Sequence, residues 1–250
     1  MKTVAIIQAR MGSTRLPGKV MRVLMDKTVL GHVIQRVRAC TRVDEVVVAT
    51  TERLQDDVVV KEAAAHGALT FCGSEEDVLS RYYGAAKNRG AGVVVRITSD
   101  CPLYDPSVLG SMLDQLSNAG DSGPDYLSNS LVRTFPRGLD TEVFTFEALA
   151  RAFREANHPY QREHVTAYLY EHPELFRLAS YTQRTDRSQL RWTLDTAEDW
   201  AFIVEVYRAL YVPGTIFSTD AVLELIAHRP ELAAINAHVK QKTLAGTTSQ

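Results

Sequence analysis

Cysteine is scarce in this chain: Cys40, Cys72 and Cys101 are an odd number, lie far apart and form no Cys-x-x-Cys pair. That pattern argues against a disulfide framework and suits buried thiols in a reducing cytoplasm. Long apolar runs are missing too. No stretch approaches the roughly 18 apolar residues of a membrane span, and the opening MKTVAIIQAR has too short an apolar run for a signal peptide. A soluble, cytoplasmic protein is expected. Charge of one sign is also lacking, because Lys+Arg 28 against Asp+Glu 30 leaves a formal charge of -2. With no global basic field, neither nucleic acid nor an anionic membrane is an expected partner, and any anion site must be local. There is no internal repeat, low-complexity block or long linker, so the 250 residues are read as a single domain.

What is there is alternation. TVAIIQA, EVVVAT, LTFCG and GVVVRIT read as strands, and VLGHVIQRVRAC, LQDDVVVKEAAAHG and EEDVLSRYYGAAKNRG between them read as helices. Val/Ile runs without polar alternation fit strands covered on both faces, and Gly67 and Gly90 fall where helices should end. The fold class is therefore α/β, a doubly wound and mostly parallel central sheet. After Pro124 the rhythm changes to extended segments around a Pro-Arg-Gly turn, then helices at EALARAFREA and YQREHVTAYLYEH, which together read as a mixed α/β insertion at about 125–180. Alternation returns with LRWTLDT as a strand running into the helix AEDWAFIVEVYRALY. Helices near 219–228 and 231–242 follow, and the tail AGTTSQ is expected to fray.

The densest chemistry is QARMGSTRLPGKV, which places Arg10, Arg15 and Lys19 in ten residues directly after the first strand. It is not a Walker A loop: five residues rather than four separate Gly12 from Gly18, Val20 follows the lysine, and Pro17 lacks an N–H. The dinucleotide pattern G-x-G-x-x-G is absent as well. Positive charge must then come from side chains, two guanidinium forks and an ammonium, which suit a polyphosphate. A solvated basic turn is the plain alternative, but ligands of parallel sheets sit at the carboxyl ends of strands, where this loop emerges.

The Ser-Thr-Arg-Leu-Pro-Gly-Lys run resembles the signature loop of the CTP-dependent cytidylyltransferases that activate acidic sugars, the CMP-Kdo and CMP-acylneuraminate synthetases, and most of all their spore-coat polysaccharide branch. VVVATTERLQDD, GSEEDVLSRYYGAA, VVRITSDCPLYDP, RGLDTEVF, REHVTAYLY and RWTLDTAEDW continue the resemblance in order across nearly the whole chain. It implies a nucleotide-diphospho-sugar-transferase-like fold and transfer of CMP from CTP to an acidic sugar with release of pyrophosphate, for surface polysaccharide or glycan synthesis. Arg10, Lys19 and Asp100 become the catalytic candidates, with Ser13, Arg15, Thr50 and Ser74 beside Arg10 and Lys19 for the nucleotide. Mg²⁺ is the implied cofactor, on Asp100 and Asp195 at the ends of two strands. Asp195 or Thr196 could instead cap the following helix, and Asp100 could be a turn residue.

By the same resemblance Arg137, Asp140, Glu142 and Glu163 belong to the acceptor side, and the insertion serves acceptor binding and homodimerisation. Tyr160, Tyr168 and Tyr170, without an obvious share in the sheet's core, fit such an interface. His164 reads as structural, because EHVTAYLYEH is not H-E-x-x-H, and Cys101 reads as packing. A G-x-S-x-G elbow is missing. Pro102 breaks the Asp-x-Asp of a metal-dependent glycosyltransferase. Two other functions stay open: the same chemistry on a phosphonate or other small phosphate-bearing acid, and a nucleotide-sugar-binding protein without catalysis.

Overall fold

The structure, a computed structural model, describes residues 1–13 and 15–241, so the tail expected to fray lies outside the described residues. Its first half alternates strand and helix: β1 (Thr3–Gln8), a small hairpin of β2 (Val23–Leu24) and β3 (Lys27–Thr28), α1 (Val29–Arg38), β4 (Glu45–Thr51), α2 (Asp57–Ala65), β5 (Leu69–Gly73), α3 (Val78–Asn88) and β6 (Val93–Thr98). The second half runs α4 (Pro106–Asn118), β7 (Tyr126–Ser128), β8 (Glu142–Thr145), α5 (Phe146–Glu155), α6 (Pro159–His164), α7 (Ala167–Glu171), β9 (Leu178–Ser180), α8 (Ala197–Leu210), α9 (Thr219–His228) and α10 (Pro230–Ala234). Local chemistry starts many of these helices. Thr28, Asp77, Asp105, Thr145 and Ser218 each accept a first-turn N–H on the side chain. Gly67 and Gly90 close helices at φ +69° and +61°, the left-handed backbone a helix stop requires.

Seven strands form one sheet in the order β5-β4-β1-β6-β8-β7-β9. β5, β4, β1 and β6 are parallel, and β8 alone runs against both of its neighbours. The Val/Ile runs behave as fully covered strands. On β1, Ala5 and Ile7 enter a core under α1, α4 and α8, while Val4 and Ile6 enter a second core under α3, α5 and α7. The chain leaves β1 toward β4 on one side and returns to β6 on the other, which opens a crevice at the carboxyl ends of β1 and β6. No helix among the described residues is long and apolar enough to cross a membrane.

The segment 125–180 is mixed α/β: it supplies β7, β8 and β9 to the main sheet and helices that cover one face. Several other expectations are corrected. Tyr168 is 8% exposed in that face's core and Tyr170 packs against it, so these rings are consumed by local packing rather than held out for a partner. YQREHVTAYLYEH is two helices, broken at Val165 with φ +62°, a conformation costly for a β-branched residue. LRWTLDT forms no strand, only an isolated bridge between Arg137 and Arg191. Among the described residues the last helix ends at Ala234, and α4 has no counterpart in the sequence reading. Cys40 and Cys101 are buried as expected, whereas Cys72 is exposed.

Candidate active site

The basic loop leaves β1 and folds on itself. The Ser13 N–H donates to the Met11 carbonyl (2.8 Å), the Leu16 N–H to the Ser13 hydroxyl (3.4 Å) and the Lys19 N–H to the Leu16 carbonyl (3.2 Å). Gly18, at φ +65°, turns the chain so that Lys19 heads a short 3-10 turn. One outside side chain holds the loop's backbone: Asp56, 1% exposed, accepts the Met11 N–H at 2.7 Å and the Thr51 hydroxyl.

Lys19 is the point on which distant segments converge. Its Nζ donates to Asp100 Oδ2 (2.6 Å), to the Leu194 carbonyl (2.8 Å) and to Asp195 Oδ1 (2.8 Å), so all three ammonium protons are used. Burial works against the Lys19 charge, but Asp100 and Asp195 outweigh it and raise the pKa. Burial likewise pushes the Asp100 carboxyl up, and the Lys19 ammonium more than reverses that. The other Asp195 oxygen takes Arg15 (3.0 Å) and Arg191 (3.1 Å). Thr196, not Asp195, caps α8, in a reciprocal box with Asp199, and this leaves the Asp195 carboxylate to the cleft.

These groups line an open cleft of about 820 Å³ at the carboxyl edge of β1 and β6. Arg10 reaches it paired to Glu75 (3.1 Å), which also pairs with Arg53. Arg81, Arg96, Glu163 and His164 also line the cleft. Arg81 is 3% exposed; its Nη1 donates to the Ser74 carbonyl (2.8 Å), its Nε has no partner, and no carboxylate pairs with it among the described residues. Burial lowers its pKa. Arg96 pairs through Nη1 with the buried Glu142, which also accepts the hydroxyls of Tyr126 (2.5 Å) and Thr166 (2.6 Å). His164, read as structural, also lines the cleft, and burial pushes its imidazole below the ordinary value.

The cleft thus gathers Arg10, Ser13, Arg15, Lys19, Asp100, Glu163 and Asp195, and leaves out five other candidates. Thr50 is fully buried: strand alternation sends it to the face of Val48, away from the cleft. Ser74 is a turn residue whose hydroxyl accepts the Asp77 N–H at 3.1 Å. Arg137 and Asp140 lie outside the cleft because their turn is a seat for the segment leading to Asp195: the Arg137 N–H donates to the Leu190 carbonyl (3.0 Å), the Trp192 N–H to the Arg137 carbonyl (2.6 Å), and Asp140 pairs with Arg133. Glu142 acts only from behind Arg96. Sequence reading missed Gln8, Asp56, Glu75, Arg81 and Arg96. Only Arg96 had a signal, a charge inside the strand VVVRIT that otherwise reads as buried on both faces.

Asp100 and Asp195 share one cation, so their bonded oxygens are no farther apart than the sum of those two hydrogen bonds. Among the described residues no group of three His, Cys, Asp or Glu side chains forms a metal cage. Two converging carboxylates nevertheless fit a hard divalent cation that completes its shell with water and phosphate oxygens.

A family model described as cytidylyltransferase matches residues 4–224. The spore coat polysaccharide biosynthesis protein SpsF of Bacillus subtilis is 36% identical over 91% of this chain and 95% of its own. A solved cytidylyltransferase from Leptospira borgpetersenii superposes with a TM-score of 0.90 at 35% identity, covering 97% of this chain and all of that one. A CMP:2-keto-3-deoxy-manno-octonic acid synthetase solved with CTP has a TM-score of 0.64 over 84% of this chain and 99% of that one; at 18% identity it shares the fold.

Proposed function

The chain belongs to the cytidylyltransferase family, and on that premise we propose that it transfers CMP from CTP to a hydroxyl of an acidic sugar, releasing pyrophosphate, for surface polysaccharide or glycan synthesis. The observation that carries this reading is the single contact point of Lys19 with Asp100 and Asp195 beneath a loop bearing Arg10 and Arg15. Such a site would offer positive charge to a triphosphate and two carboxylates to the reacting edge.

In this reading the acceptor oxygen attacks the α-phosphorus, the bond to the β-phosphate oxygen breaks and pyrophosphate leaves. Arg10, Arg15 and Lys19 hold the phosphates and stabilise the charge that grows there, so they act in the transition state more than in the ground state. Ser13 lies on the same loop. Asp100 and Asp195 would hold Mg²⁺, which when bound supplies neutralising charge at the phosphates. The hydroxyl proton would go to Asp195 or to a hydroxide on the bound metal. The acceptor side is the wall of Glu163, His164 and Arg96.

Incubation with each of the four NTPs, Mg²⁺ and a panel of acidic sugars, with pyrophosphate measured, tests the reading. CTP is expected to be preferred. Equal stabilisation by ATP in thermal-shift titrations, or a preference for UTP, would sink the cytidylyl assignment and spare the fold.

A further inference from the structure

The cleft holds a guanidinium that the phosphate-binding loop does not account for. Arg96 sits on β6, and strand alternation turns Arg96 and Thr98 to the same face, both lining the cleft on the way to Asp100. A cation inside a central strand needs a reason, because it displaces an apolar residue from a covered sheet.

Its charge is balanced from behind by Glu142, the residue directly across the ladder on β8. Glu142 is itself fixed by the hydroxyls of Tyr126 and Thr166, so the guanidinium is held in one orientation. Only Nη1 is engaged by Glu142, and the buried Nε–H has no partner. The Nε and Nη2 hydrogens of a guanidinium point the same way, the edge that a carboxylate takes with two parallel bonds. A buried charged donor without a partner is costly, and such groups mark functional sites.

The neighbours select what would be bound. Arg10, Arg15 and Lys19 supply the cations of the loop after β1, whereas Arg96 faces Glu163 and His164 of α6, groups suited to sugar hydroxyls. Arg96 and Asp100 lie four residues apart along the chain and line the same cleft. We propose that Arg96 is the acid-recognising residue of the acceptor subsite, taking the carboxylate of the second substrate on its Nε–Nη2 edge while Glu142 holds it in place. The inference rests on reading the cleft as that of a cytidylyltransferase.

The test uses the full chain loaded with a CTP analogue carrying a methylene bridge between the α- and β-phosphates, which cannot release pyrophosphate. Calorimetric titrations with 3-deoxy-manno-octulosonate, N-acetylneuraminate and the carboxamide of each are compared in wild type and Arg96→Lys. At least one acid is expected to bind, its carboxamide about tenfold or more weaker, and Arg96→Lys is expected to weaken the acid by about the same factor with analogue affinity kept within about twofold. An acid and its carboxamide binding equally, Arg96→Lys binding the acid like wild type, or no acid binding to the loaded wild type would each overturn the inference. The carboxamide comparison needs no variant, so it stands even where Arg96→Lys folds poorly. Failure of the analogue itself to bind overturns the nucleotide reading and this inference with it, and that measurement tells the two failures apart.

Discussion

At the scale of single residues, Lys19 is a joint as well as a cation. It ties the loop after β1 to Asp100 and to Leu194 and Asp195, so its loss both removes charge from the phosphates and leaves two carboxylates facing each other. Lys19→Ala is expected to lower turnover by roughly 100-fold or more while CTP still binds through Arg10 and Arg15. It should also cost about 3 kcal/mol of stability, read by denaturant unfolding, because an uncompensated buried charge remains. Unchanged pyrophosphate release would make the loop a surface turn. His32 gives the pH dependence. It is 2% exposed, its Nε2 bonds the Leu24 carbonyl (2.7 Å), and its pKa is lowered to about 4. Burial is the main cause; Lys27 and Arg36 add to it, while the Leu24 hydrogen bond and Asp26 oppose it. A folded value below the unfolded 6.5 means that the unfolded chain binds the proton first, so stability is full above about pH 6.5 and is lost as pH falls toward 4. Unfolding free energy is expected to drop by about 3 kcal/mol over that window, and less in His32→Phe.

At the scale of elements, the Pro-Arg-Gly turn before β8 shows how a connection positions the site. Gly138 has φ +104°, and a Cβ there would lie 2.5 Å from the Trp192 carbonyl carbon and 2.6 Å from the Thr193 nitrogen, main-chain atoms that cannot rotate away. Gly138→Ala is expected to destabilise by about 3 kcal/mol and to depress turnover, since the segment carrying Asp195 must shift. Gly90→Ala is the control. Its φ of +61° is also left-handed, but nothing lies within 4 Å of its Cβ, so a loss of only about 1 kcal/mol and normal activity are expected. Equal unfolding midpoints for the two variants would refute the seat. Asp56 does for the basic loop what this turn does for Asp195, fixing the Met11 N–H from the start of α2.

At the scale of the whole molecule, the sheet is one body from β5 to β9, and the segment 125–180 is its antiparallel flank and cover. We propose that this segment also carries a homodimer contact. Tyr168 and Tyr170 do not support that, because they pack inward, but Leu131 and Val132 stand exposed at 37% and 57% on the loop after β7. Light scattering at micromolar protein is expected to give twice the mass of the 27.8 kDa chain, and Val132→Asp to shift it toward monomer. A concentration-independent monomer in the wild type would end the proposal.

The sequence by itself determined what depends on neighbours along the chain. Val/Ile runs became β1, β4 and β6 because an uninterrupted apolar strand is stable only when covered on both faces, and Gly67 and Gly90 ended helices because only glycine takes that backbone without cost. The loop from Arg10 to Lys19 was legible because its charge is local and follows the first strand. Tertiary structure decided everything that depends on direction and on distant partners. Thr50 sits at the end of a strand beside the crevice yet points to the other face, and Arg137, three residues before Asp140 in a plausible motif, seats a backbone. Arg81 carries no signal in the sequence, and only folding buries it on the cleft wall without a carboxylate partner among the described residues. Lys19 meets Asp195 across 176 positions, a contact no spacing encodes, because sheet order and crossovers, rather than periodicity, bring strand ends together.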